Sequence, residues 1–193
     1  MTYDGGRKET TGVRIVVKPA SISSAKATIK TKTYTGKAQS AEVSQVVFGG
    51  KVLKANQDYK VTALKKTNAG SYTVKIQGIG NYAGTIRDQN AKFTIKKGKT
   101  SFSVKPAKKQ YRLSAVKKKK RTYTLKVSGL SAGSSKVKYS VSMKVKKAGI
   151  QVSSKGKVTI KKGTKRGTYK ISVKSAGNKN RTGLTRTVKC VIK

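Results

Sequence analysis

The sequence predicts an all-β protein, a sandwich of many short strands. Three observations carry that expectation. Apolar residues recur with a period of two in run after run, the mark of a strand with one buried face, and no segment keeps helical spacing across three turns. Clusters of Gly, Asn and Ser separate these runs at intervals of about 8–12 residues, the spacing of a sandwich. Apolar residues make up 35% of the chain, below the ~45–50% of typical globular proteins, which suits thin sheets that are wet on one side and dry on the other.

Taken in order, "KETTGVRIVVKPAS" (8–21) is a polar lead-in to a β run, and "DQNAKFTIKKGKTS" (88–101) and "RTGLTRTVKCVIK" (181–193) have the same form. Each reads as the closing strand of a module. Residues 1–20 are therefore the tail of a truncated upstream module or an extra edge strand, 21–98 a first module and 99–193 a second. "VVFGGKVL" (46–53) sets Gly49-Gly50 between two apolar stretches, a two-residue hairpin turn. In "SYTVKIQ" (71–77), Tyr72, Val74 and Ile76 share one face, and "AKFTIKK" (91–97) alternates likewise. "KKKKRTYTLKV" (117–127) reads as a basic turn, Lys117–Arg121, followed by a strand whose Tyr123, Leu125 and Val127 point inward. "KVKYSVSMKV" (136–145) is a long strand with Val137, Tyr139, Val141, Met143 and Val145 on one face. "GKVTI" (156–160), "TYKISVK" (168–174) and "RTVKCVIK" (186–193) complete the second module. In the last of these, Val188, Cys190 and Ile192 point the same way, so the single cysteine is a buried small hydrophobe and no intramolecular disulfide can form.

Charge is the extreme feature. The chain carries 47 Lys+Arg against 5 Asp+Glu, and residues 99–193 hold 29 cations and no acid. No internal salt bridge relieves that repulsion, which leaves solvent, salt or a bound polyanion. An A- and T-rich genome accounts for Lys outnumbering Arg, but it favours Glu codons equally, and Glu is nearly absent.

"YTGKAQ" (34–39), "VLKANQDYKV" (52–61) and "TNAGSYTVKIQGIGNYAGT" (67–85) together resemble a repeat of secreted and surface-anchored Gram-positive proteins, a bacterial immunoglobulin-like module. "VSSKGKVTIKKGTKRGTYKISVKSAGNKN" (152–180) resembles a second bacterial immunoglobulin-like type. The resemblance implies tandem immunoglobulin-like β-sandwich modules. It also implies a non-catalytic stalk or anchoring region, secreted or held at the cell surface or wall. Such repeats usually carry Gly-x-Asp-Tyr where this chain has Asn56-Gln57-Asp58-Tyr59. The residues of the motif have structural work: Tyr59 and Tyr82 pack rings inward while their hydroxyls reach backbone, Gly70, Gly78, Gly80 and Gly84 permit turns, and Asp58 accepts backbone N–H bonds.

Much chemistry is excluded. The chain has no His and no Trp, which removes imidazole acid–base catalysis and His-centred triads. One Cys and scattered acids do not make a zinc site, and no carboxylate pair is spaced for glycoside hydrolysis. No cofactor or metal is expected, and no enzyme. The one covalent option is a Lys–Asn isopeptide bond beside a buried carboxylate, for which Asp58 and Glu42 are the candidates. No run of 18 apolar residues exists to span a membrane. "MTYDGGRKET" lacks the apolar core of a signal peptide, so an exported protein of this kind is expected to be part of a longer precursor.

The candidate polyanion-binding residues are Lys117, Lys118, Lys119, Lys120 and Arg121, with Lys161, Lys162, Lys165 and Arg166. Lysine near phosphate or sulfate releases counterions and gives affinity without sequence reading. The tyrosines have inward parity and offer no stacking platform for bases, so nucleic acid is a non-specific partner only. The resemblance names teichoic acids as the nearest polyanion, with sulfated or sialylated glycans next. A host-facing adhesin for one glycan or protein, and a cationic DNA- or membrane-binding protein, are the alternatives. No oligomer is defined by the sequence.

Overall fold

The structure, a computed structural model, describes residues 16–193. In chain order the strands are β1 (Ala20–Ser21), β2 (Lys26–Ile29), β3 (Lys32–Thr33), β4 (Gln39–Ser40), β5 (Val43–Phe48), β6 (Lys51–Val52) and β7 (Tyr59–Val61). Then come β8 (Lys65–Lys66), β9 (Gly70–Thr73), β10 (Ile76–Gly78), β11 (Tyr82–Ala83), β12 (Lys92–Lys96), β13 (Ser103–Lys105) and β14 (Lys108–Tyr111). Helix α1 (Leu113–Lys118) is followed by β15 (Arg121–Thr124), β16 (Lys126–Ser128), β17 (Val137–Ser140) and helix α2 (Met143–Lys147). The chain ends with β18 (Ile150–Val152), β19 (Lys157–Ile160), β20 (Gly167–Ser175) and β21 (Leu184–Ile192). The fold is all-β, built of short strands in small sheets with, among the described residues, two short α-helices. Most of the predicted closing strand at 8–21 lies outside the described residues; of its end, Ala20 and Ser21 form β1, parallel to β11.

The chain forms two compact units. The first comprises the described residues up to Thr28 with 43–62 and 73–91; the second comprises 29–42, 63–72 and 92–193. In the first, β2-β5-β6 forms one sheet, β7 pairs antiparallel with β10, and β1 pairs parallel with β11. Ile22, Ala25, Val46, Leu53, Val74, Ile76, Ile86 and Ala91 are its buried apolar residues, with the ring of Tyr59. The Gly49-Gly50 hairpin is as expected: both φ values are positive, 54° and 77°, and Phe48 stands opposite Lys51. Positive φ at both central residues defines the turn whose twist matches the strands. Asn56 has φ 64°, so it takes the left-handed conformation at the position where the resembling repeats have glycine; Asn tolerates it because its short amide bonds locally. Asp58 Oδ2 accepts the Lys54 amide at 2.7 Å, as expected of it. Tyr82 stacks edge-on against Phe48.

In the second unit, the sheet β14-β21-β20-β17 and the sheet β15-β19-β18 enclose one core. Ile171, Val173, Val188, Cys190 and Ile192 come from the first sheet, and Ile150, Val158 and Ile160 from the second. Val116 of α1 and Leu125 close the core from the side. The parity expected of β19, β20 and β21 holds at every inward position named above, and Cys190 is fully buried. Three smaller sheets, β3-β12-β9, β4-β8 and β13-β16, belong to the same unit.

Two expectations are corrected. The run 136–145 is not one strand: β17 stops at Ser140 and α2 begins at Met143. Ser142 caps the helix, its hydroxyl accepting the Val145 amide. Val141, in the extended segment before the cap, and Val145, inside the helix, both pack on the core, while Met143 turns out with 66% of its surface exposed. The second correction concerns Lys117–Arg121. Lys117 and Lys118 are the last turn of α1 and Arg121 opens β15, so only Lys119 and Lys120 are a turn. The strand after them keeps its predicted parity but changes sheet at Leu125: β15 pairs with β19, and β16 with β13.

Candidate polyanion-binding site

The basic runs of the second unit converge on one short loop. Residues 161–166 follow β19, which pairs with β15 so that Ile160 stands opposite Arg121. The Gly163 amide donates to the Val116 carbonyl at 3.2 Å, tying the loop to α1. On the other side the Lys161 amide donates to the Gly149 carbonyl at 2.8 Å, tying it to the end of α2. Thr164 is buried and its hydroxyl donates to the Lys161 carbonyl at 2.7 Å. Gly149 has φ 98°, and a Cβ there would meet Thr164 Oγ1 at 2.7 Å, so the chain can turn this tightly only with glycine. The Tyr169 hydroxyl donates to the Lys165 carbonyl at 2.8 Å and pins the loop's far end.

Backbone bonds therefore fix the loop, and its cations are left in water. Lys161, Lys162, Lys165 and Arg166 are exposed, as are Lys117, Lys118, Lys119 and Lys120. Arg121 differs: it is half-buried and its Nε donates to the Ala115 carbonyl at 3.3 Å. It adds a second donor to a carbonyl in the last turn of α1 that the Lys119 amide already meets at 3.5 Å. The expected residues are thus brought to one end of the second unit, with Arg121 partly spent on structure. Lys144, Lys146 and Lys147 of α2 join them; they were visible in the sequence as "KVKK" but read as part of a strand. A depression of about 640 Å³ runs beside the loop, lined by Ser142, Lys144, Val145, Lys165, Arg166 and Tyr169, among others. Pre-placed ammonium groups around a concavity attract anions and hold them loosely, since each keeps most of its hydration.

Carboxylates do not compete there. The ion pairs among the described residues both fall on Glu42, which meets Lys32 and, at 3.5 Å, Lys30. The hydrogen bond from Lys32, then its charge, holds the Glu42 carboxyl below the usual range. Glu42 is 49% exposed, so it is not the buried carboxylate an isopeptide bond requires. Asp58 is engaged with the Lys54 amide. No group of three or more His, Cys, Asp and Glu that could hold a metal occurs among the described residues. No helix among them is long and apolar enough to cross a membrane.

No family model matches the chain, and no curated protein matches it. Solved structures do. A chimeric titin Z1Z2-Z1Z2 tandem is 16% identical with a TM-score of 0.33, over 86% of this chain and 99% of that one. Sidekick-1 immunoglobulin domains 1–4 are 11% identical with a TM-score of 0.36, over 88% and 49%. Extracellular domains 3–5 of Drosophila OTK are 11% identical with a TM-score of 0.32, over 91% and 67%.

Proposed function

We propose that this chain is a non-catalytic, extracellular immunoglobulin-like stalk or anchoring region that binds anionic surface polymers by charge. Modules 21–98 and 99–193 are its repeating units. The observation that supports this reading most is the convergence of Lys117–Lys120, Lys161–Arg166 and the α2 lysines around one fixed loop, within 95 residues that hold no acid. Such a patch binds phosphate- or sulfate-rich polymers through counterion release and lets go as salt rises. The resemblance of 34–85 to repeats of Gram-positive surface proteins makes wall teichoic or lipoteichoic acid the leading partner, and sulfated or sialylated glycans the next.

The test is retention on purified cell walls, before and after chemical removal of teichoic acid, across a salt series. Retention is expected to fall on removal and to be lost by about 1 M salt, where the screening length is near 3 Å. Retention that survives both treatments overturns the reading, and saturable high-salt binding to one glycan replaces it with the adhesin.

A further inference from the structure

The outer face of the sheet β14-β21-β20-β17 is a second charged surface; it adjoins the loop cluster at Lys170 and Ser142, which line the depressions of both. Its register places Lys108 opposite Lys189, and Lys189 opposite Lys170, so three lysines stand in one row across three strands. Neighbouring strands are about 4.8 Å apart, which makes the row roughly 10 Å long. A second pair, Lys138 opposite Lys174, stands four residues along the strands, about 13 Å away. Between the two lies a row of hydroxyls, Ser140, Ser172 and Thr187, opposite one another on β17, β20 and β21. All five lysines are exposed. A depression of about 390 Å³ opens on this face, lined by Ser140, Ser142, Lys170, Ser172 and Thr187, with Val141.

Directly opposed like charges destabilise a sheet, and at about 8 Å the physiological screening length does not separate lysines this close. No residue of 99–193 supplies a carboxylate to break the row. We infer that this face is a docking surface for a linear carbohydrate polymer bearing sulfate or phosphate esters. The lysine rows hold its esters and the hydroxyl row meets its sugar oxygens. No aromatic residue takes an outward position on these strands: 108 and 110, 138 and 140, 168–174 and 185–191 offer only Lys, Gln, Ser, Thr and Val there. Unpaired bases would have nothing to stack on. Lysine, a point donor, suits monoester oxyanions scattered along a chain.

The experiment compares the whole chain with K108S/K174S/K189S, which leaves Lys170 of the loop-side depression in place, with S172A/T187V and with the loop variant K117S/K118S/K119S/K120S. The probes are a heparin-type oligosaccharide, a phosphorylated oligosaccharide, inorganic polyphosphate and duplex DNA, each over a salt series. For the triple variant, sugar binding is expected to weaken at least about tenfold near 0.15 M salt, with the log–log salt slope falling by about two to three. Its unliganded melting temperature rises, because the row's repulsion is gone; that excludes misfolding as the cause. S172A/T187V weakens binding of the sugar polymers and leaves polyphosphate unchanged. Whichever of the two ester-bearing sugars binds tighter identifies the ester. Sugar binding by the triple variant within about twofold of the parent overturns the proposal, as does DNA or polyphosphate binding as tightly as the sugars at every salt. Loss in the loop variant alone leaves the loop reading standing and removes this one; loss in the triple variant alone does the reverse.

Discussion

At the scale of single residues, three positions make testable statements. Asn56 sits at φ 64° in the first unit, a conformation that costs most side chains about 1–2 kcal/mol. Asn56→Ala is expected to lower unfolding free energy by about 1 kcal/mol, and Asn56→Gly to leave it within about 0.5 kcal/mol, in urea titrations. Tyr123 carries a buried hydroxyl that faces the Cys190 thiol, a weak partner, and has no strong hydrogen bond among the described residues. Removing a poorly satisfied polar group while keeping the ring is favourable, so Tyr123→Phe is expected to raise stability by about 1 kcal/mol; a loss of stability there would show that the thiol is partner enough. Burial pushes the Cys190 thiol up from 9.0 to about 11. The neutral thiol is the form the folded state prefers, so this contribution to stability is complete below pH 9 and lost as pH rises toward 11. Two pKa units mean about a hundredfold less thiolate at pH 8 than in the unfolded chain. Alkylation of Cys190 in native protein is therefore expected to be at least that much slower than in urea, by mass spectrometry.

At the scale of elements, the contrast between β20 and α2 is the instructive one. β20 runs nine residues, Gly167–Ser175, and its alternation at Tyr169, Ile171 and Val173 is long enough to exclude a helix. The run through Val141, Met143 and Val145 is shorter, and there the Ser142 cap and the core's demand for Val141 and Val145 decide for a helical turn. Met143→Lys is accordingly expected to change stability by less than about 0.5 kcal/mol, as for an exposed position, whereas Val145→Ser costs more than about 1 kcal/mol. A large cost at Met143 would restore the strand. The Gly49-Gly50 hairpin lies at the legible extreme, since two glycines between apolar runs leave one favoured turn. α1 lies at the other: six residues with one fully buried side chain, Val116, give no helical period to read.

At the scale of the whole molecule, net charge is a force on the fold. The chain carries +42, and self-repulsion of that kind weakens with added salt. Raising sodium chloride from about 0.02 to 0.5 M is expected to lift the melting temperature by at least ~2 °C, the shift that 1 kcal/mol gives a chain of this size. Polyanion at equal ionic strength lifts it further, by mass action on the folded state. A melting temperature that is flat in salt would mean that the lysines are spread widely enough to ignore one another.

The sequence by itself determined the strand class, the inward parity of β19, β20 and β21, the Gly49-Gly50 turn, the burial of Cys190 and the absence of acid from 99–193. All of these are local: they depend on a period of two, on φ at a glycine or on a count. Tertiary structure alone decided that β15 and β16 join different sheets, that "KVKK" forms a helix beside the 161–166 loop, and that Lys108, Lys170 and Lys189 stand in one row. Those facts depend on register between strands up to 81 residues apart, which follows from how two faces pack together and leaves no trace in the spacing of neighbours.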